Sequence, residues 1–149
     1  MTSQEIKVAG DRIGVLIGKG GSTKGEIEEK THTEIRVDSK EGVVMVEGEE
    51  AEGVITAVKV IEAVNRGFSP ERAFQLMGDV DLVLDVIDLS KSVDTPRQLE
   101  RVRGRIIGRA GRSREQIEDM TGTSISVHGK TISIIGWSVR WGLARRVSR

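Results

Sequence analysis

Cysteine is absent from the 149 residues. Disulfides, cysteine-ligated zinc and thiol catalysis are therefore excluded. Histidine occurs twice, as His32 and His128, and two imidazoles do not make a metal site by themselves. No apolar run reaches the ~18 residues that a membrane-spanning helix needs. The start of the chain, Met1-Thr2-Ser3-Gln4-Glu5, lacks the charged-then-apolar layout of a signal peptide, so an intracellular, cytoplasmic protein is expected. Aromatic residues are only 3% of the chain, and net charge is zero, with 23 basic and 23 acidic side chains. A neutral total argues at first against a nucleic-acid partner.

What is present corrects that impression. Charge is segregated along the chain, and local fields steer partners more than totals do. Seven arginines (97, 101, 103, 105, 109, 112 and 114) stand against one acid, Glu100, between Arg97 and Arg114. Five glutamates and no base fall between Glu41 and Glu52, and four aspartates and no base between Asp79 and Asp88. With 37% hydrophobic residues the chain can bury a modest core. Its length suits one ordinary domain or two small ones of roughly 70 residues each.

Two G-x-x-G stretches organise the rest: Ile17-Gly18-Lys19-Gly20-Gly21-Ser22 and Ile107-Gly108-Arg109-Ala110-Gly111-Arg112. Each follows an apolar-periodic segment and precedes a helical one. In the first half, strand alternation at Ile6 and Val8 leads to a helix with Ile13, Leu16 and Ile17, for which Asp11 is a candidate cap. After the loop, Ser22 or Thr23 is expected to cap a second helix, with Glu26 completing a capping box. Strands over 34–38 and 43–46 follow, then a helix carrying Val54, Ile55, Val58, Ile61 and Val64. A short helix starts at Ser69-Pro70, and a strand is predicted over 80–89. The second half repeats the first. Aligned without gaps, 17–37 and 107–127 share nine of 21 positions, and Lys19/Arg109 and Lys24/Arg114 keep their charge. One supersecondary unit used twice is the economical reading.

These motifs resemble the KH domain, whose topology is βααββα. The phrases Gly67-Phe68-Ser69-Pro70-Glu71-Arg72-Ala73, Asp85-Val86-Ile87-Asp88-Leu89 and Gly122-Thr123-Ser124-Ile125-Ser126-Val127-His128-Gly129-Lys130-Thr131 are similar to an archaeal double-KH ribosome-biogenesis family. That family is the counterpart of the eukaryotic partner-of-Nob-one protein. The resemblance implies an α+β fold of two tandem type I KH domains, over 1–67 and 80–149, with a helical connector at 68–79. It implies binding to the 3′ region of small-subunit ribosomal RNA. As partners it implies the endonuclease that trims that end and the alpha subunit of translation initiation factor two. No cofactor, metal or membrane is implied.

A KH loop holds about four nucleotides of a single strand. On that basis the expected RNA contacts are Ile17, Gly18, Lys19, Gly20, Gly21, Ser22, Lys24, Ile35 and Arg36 in the first copy. In the second they are Arg105, Gly108, Arg109, Ala110, Gly111, Arg112 and Arg114. Ile17, Ile27 and the strand around Ile35-Arg36 would form the groove, where bases meet apolar walls and backbone polar groups; it has no aromatic side chain for stacking, so affinity should be modest. His32 is expected in a left-handed helix-end conformation, and His128 at a strand end. No enzyme is expected. Gly14 and Gly18 are separated by three residues where a nucleotide-binding P-loop has four, and Lys19 is followed by Gly20 rather than by a Ser or Thr hydroxyl for Mg²⁺. The alternative reading is a protein-interaction scaffold using the acidic stretches. After Gly136 the family pattern calls for a long amphipathic helix. Here the stretch 137–149 instead holds both tryptophans and no acid. A shifted reading frame or a premature stop would account for it, as would a short helix on Val139, Leu143 and Val147.

Overall fold

The computed structural model describes residues 1–137. The chain divides into two compact units, the first ending at Val80 and the second starting at Asp81. In the first, strand β1 (Thr2–Lys7) leads to helix α1 (Gly10–Ile17), the glycine loop and helix α2 (Ser22–Thr31). Strands β2 (Thr33–Asp38) and β3 (Val43–Gly48) and the long helix α3 (Ala51–Asn65) complete the KH order. The sheet is antiparallel in the order β1-β3-β2, so β2 is an edge strand. Alternation along β3 buries Val44 and Val46 against the helices. The stripe Val54, Ala57, Val60, Ile61 and Val64 closes the core from α3.

Two short helices, α4 (Pro70–Ala73) and α5 (Gln75–Gly78), lie against α3. Ser69 caps α4 by accepting the Arg72 N–H, with Pro70 at the first helical position. Phe68, Ala73 and Leu76 are buried there.

The second unit has β4 (Val83–Asp88), α6 (Pro96–Ile107), its loop, α7 (Arg112–Thr121), β5 (Ser124–His128) and β6 (Thr131–Gly136). Its sheet order is β4-β6-β5, the same arrangement as in the first unit. Leu89, Ile106, Ile117, Ile125, Ile132 and Ile134 form its core. Helix α6 starts at Pro96, with Thr95 as its cap, and is four residues longer than α1. The predictions for 138–149 lie outside the described residues.

The shared threonines of the repeat have a definite task. Thr31 donates to the Ile27 carbonyl at 2.6 Å and bonds Thr33 at 2.8 Å. Thr121 does the same with Ile117 and Thr123, at the same distances. Between each pair the chain turns through a left-handed residue, His32 (φ 55°) in one unit and Gly122 (φ 65°) in the other. The pair of hydroxyls ties the helix end to the start of the edge strand on either side of that turn.

Candidate nucleic-acid interface

Gly18 ends α1 at φ 75°, ψ 175°, with its N–H on the Gly14 carbonyl. Lys19–Gly21 form a single tight turn, in which Gly20 (φ 63°) and Gly21 (φ 79°) are left-handed. The second loop has the same backbone: Gly108 φ 72°, Ala110 φ 56°, Gly111 φ 76°. A Cβ on Gly18 would run into the Thr23 hydroxyl and stand 2.8 Å from the Thr23 nitrogen. On Gly108 it would meet Ser113 in the same way. These two glycines are therefore demanded by packing as well as by φ. Gly20 is different, because nothing lies within 4 Å of where its Cβ would be. The middle of the loop is an open backbone surface, with Lys19 or Arg109 exposed beside it.

This geometry overturns the expected capping. Gly21, not Ser22 or Thr23, is the N-cap of α2, and no side chain caps it. Ser22 is already the first helical residue, while Thr23 is buried under Gly18. Asp11 likewise lies in the first turn of α1 rather than at its cap, which is Ala9. The first-turn N–H groups of α2 therefore point into the loop without a side-chain acceptor, a natural seat for an anion.

Across α2 lies the outer edge of β2. The Ile35 N–H donates to Glu28 Oε2 at 2.8 Å, which shows that Ile35 turns its peptide groups away from β3 and towards α2. With a period of two, Val37 does so as well. The same tie recurs in the second unit, where the Ile125 N–H donates to Glu118 Oε2 at 2.7 Å and aligns Val127. The edge peptides of Val37 and Val127 are thus aimed at the space beside α2 and α7. This direction is not visible in the sequence, where both valines read as core alternation.

The side chains of Ile27 and Ile35 do not wall a groove. They are 0% and 2% exposed and belong to the core, because β2 turns its odd-numbered residues inward. Only Ile17 is half-buried at the loop. Arg36 falls on the opposite face of the strand, 3.5 Å from Glu34. It is not brought to the loop side. Lys24 is on that side, 3.1 Å from Glu28. Its counterpart Arg114 reaches both Glu118, at 3.4 Å, and the Ile125 carbonyl, at 3.3 Å. Arg105, Arg109 and Arg112 are exposed.

Two glycines belong beside these residues. Gly14 and Gly104 stand one turn before the loop glycines, 104 − 14 = 90 residues apart, inside helices and exposed. A Cβ at either would touch nothing within 4 Å. Packing does not require them, and glycine within a helix costs roughly 1 kcal/mol relative to alanine. Bare backbone at this place in both units suits close approach by a ligand running along the helix into the loop. The sequence held the signal, a glycine at the same offset in both copies.

Comparison with known proteins is consistent with this geometry. Residues 3–63 match the family described as KH domain, and residues 83–148 match the eukaryotic type KH domain, KH-domain type I. A KH domain-containing protein of Methanocaldococcus jannaschii is 38% identical over 135 residues, covering 88% of this chain. The chain spans 59% of the length of that curated relative. The crystal structure of Dim2p from Pyrococcus horikoshii superposes with a TM-score of 0.91 at 43% identity, covering all of this chain and 92% of the other. A second structure, the a/eIF2alpha–aDim2p–rRNA complex of the same organism, gives a TM-score of 0.90 at 44% identity, covering 99% of this chain and 83% of that one.

Proposed function

Because this chain belongs to the family of double-KH proteins that includes the archaeal Dim2p, we propose that it binds single-stranded RNA through both glycine loops. The observation that carries this reading is the duplicated loop. An open left-handed backbone turn, a basic side chain within it and an uncapped helix N-terminus converge beside an outward-facing strand edge. Phosphate would sit on the loop backbone and first-turn amides, with Lys19 or Arg109 neutralising it. Bases would lie beside α2 or α7, where the Val37 or Val127 peptide offers one donor and one acceptor to a base edge. No step of covalent chemistry is involved.

The RNA we assign is the 3′ region of small-subunit ribosomal RNA, in a cytoplasmic step of ribosome biogenesis. The relative solved in a complex with rRNA and a/eIF2alpha supports this, and it supports an initiation-factor alpha subunit as a partner. An rRNA-trimming endonuclease is the second partner we assign. The domain limits we adopt remain 1–67, 68–79 and 80–149.

The test is titration of a labelled single-stranded RNA of small-subunit 3′-end sequence by fluorescence anisotropy. Lys19→Asp/Gly20→Asp and Arg109→Asp/Ala110→Asp each place two acids in one loop. Each is expected to weaken binding at least tenfold, and the two together to abolish it. Unchanged binding in all three would leave the loops as turns only. A scaffold reading would then gain from the cleft of about 360 Å³ lined by Glu49, Glu50, Glu52, Met77 and Val80.

A further inference from the structure

We propose that helix α6 is a phosphate track that carries the RNA strand beyond the four nucleotides of the second loop. The proposal rests on the RNA reading above and adds Arg97 and Arg101 to the contact surface. Arg97, Arg101 and Arg105 are exposed and spaced four residues apart on one helix. Four residues advance about 6 Å along the axis and 40° around it, so the three guanidinium groups form one row. Arg109 in the loop and Arg112 at the start of α7 follow in the chain and are exposed. Gly104 lies three residues after Arg101 and seven after Arg97, so its bare backbone shares their face.

Among the described residues none of these five arginines makes an ion pair. The other two basic residues of the run do, Arg103 with Glu100 at 3.2 Å and Arg114 with Glu118 at 3.4 Å. Helix α6 is well capped by Thr95, and Arg105 suits its last turn, but the rest of the row is unfavourable for an isolated helix. Arg97 sits in the first turn, against the positive pole of the helix. Arg97 with Arg101, and Arg101 with Arg105, are like-charge pairs at i, i+4 and repel. Gly104 adds its own penalty. A polyanion laid along the row reverses the sign of the first two terms and makes use of the third.

The first unit has nothing similar. Subtracting 90 from each position gives Lys7, Asp11, Val15, Lys19 and Ser22. Asp11 is acidic and lies where α1 favours an acid. The partner is RNA rather than an acidic protein surface because α6 leads into the loop and carries the open Gly104 backbone. The second unit therefore takes a longer strand and binds it with a steeper salt dependence.

The experiment compares the full chain with Arg97→Gln/Arg101→Gln, and with Arg97→Lys/Arg101→Lys as a charge-keeping control. Two labelled single-stranded RNAs of small-subunit 3′-end sequence serve as probes, a tetranucleotide and a strand of about twelve nucleotides, between about 50 and about 200 mM salt. In the glutamine variant the longer RNA is expected to bind about tenfold more weakly. Its log Kd–log salt slope should fall by about 1.4, since each phosphate contact contributes ~0.7 on a single strand. The tetranucleotide should bind as before, and lysine should restore the slope. Unchanged binding of the longer RNA, or equal loss for both RNAs, would overturn the track while the loop variants still decide RNA binding itself. A native chain that binds neither RNA would overturn both.

Discussion

In the first unit the middle of the glycine loop is Gly20 at φ 63°, and in the second it is Ala110 at φ 56°. The two backbones agree although one residue carries a Cβ and the other does not. The loop shape is thus set elsewhere, by the packing of Gly18 on Thr23 and of Gly108 on Ser113. The middle position is left open to solvent and tolerates alanine at a cost of about 1 kcal/mol. Around this common frame the units diverge in their cations. Lys24 contacts Glu28 alone among the described residues, whereas Arg114 also holds the Ile125 carbonyl. The first unit is close to neutral around its loop, while the second carries a row of arginines. What the repeat preserves is the loop backbone; what it varies is the charge around it.

The comparison can be broken most severely at the outer glycines. Gly18→Ala and Gly108→Ala should each destabilise their own unit by about 3 kcal/mol, from positive φ and the clash with Thr23 or Ser113. Native-state hydrogen exchange read separately on the core strands β3 and β6 checks this, and equal losses are expected. The next test separates the units. Each carboxylate serves one cation and one edge N–H, but Glu118 is more buried than Glu28, with side-chain exposures of 10% and 24%. Glu118→Ala should cost about 2–3 kcal/mol and Glu28→Ala about 1 kcal/mol less, by urea unfolding monitored at unit-specific amides. Smaller still is the exchange at the middle of the loops. Ala110→Gly should stabilise the second unit by about 1 kcal/mol and Gly20→Ala should destabilise the first by a similar amount. Smallest is His32→Gly, which copies Gly122 and should add about 0.5 kcal/mol by relieving the left-handed turn.

Much of this was legible in the chain itself. The loops, the repeat and the βααββ order of each copy follow from glycine spacing, apolar period and the nine shared positions. Helix-end residue His32 was read correctly because its partner in the repeat is a glycine. The caps of α2 and α1 were misread for a physical reason. Ser22, Thr23 and Asp11 are good capping residues, but at α2 the left-handed Gly21 had already turned the chain, and at α1 the helix starts at Gly10 behind an Ala9 that offers no capping side chain. Ile27 and Ile35 were expected beside the groove, yet their side chains lie in the core and Ile35 turns its peptide N–H away from the sheet. Peptide direction depends on sheet order and register, which no residue type announces. The Glu28 and Glu118 ties were hidden for the same reason, since a carboxylate seven residues from its N–H partner has no sequence signature. Gly14 and Gly104 could have been found, because both sit four residues before a loop glycine.

The most direct measurement of the central claim is a ¹⁵N–¹H correlation spectrum of the full chain, titrated with the small-subunit 3′-end RNA strand. Amides of 18–24 and 108–114, together with those of Val37 and Val127, are expected to shift, and the second set should respond at lower RNA concentration. Shifts confined to the acidic cleft around Glu49 and Glu52, or none at all, would contradict the account of two loops holding one kind of ligand.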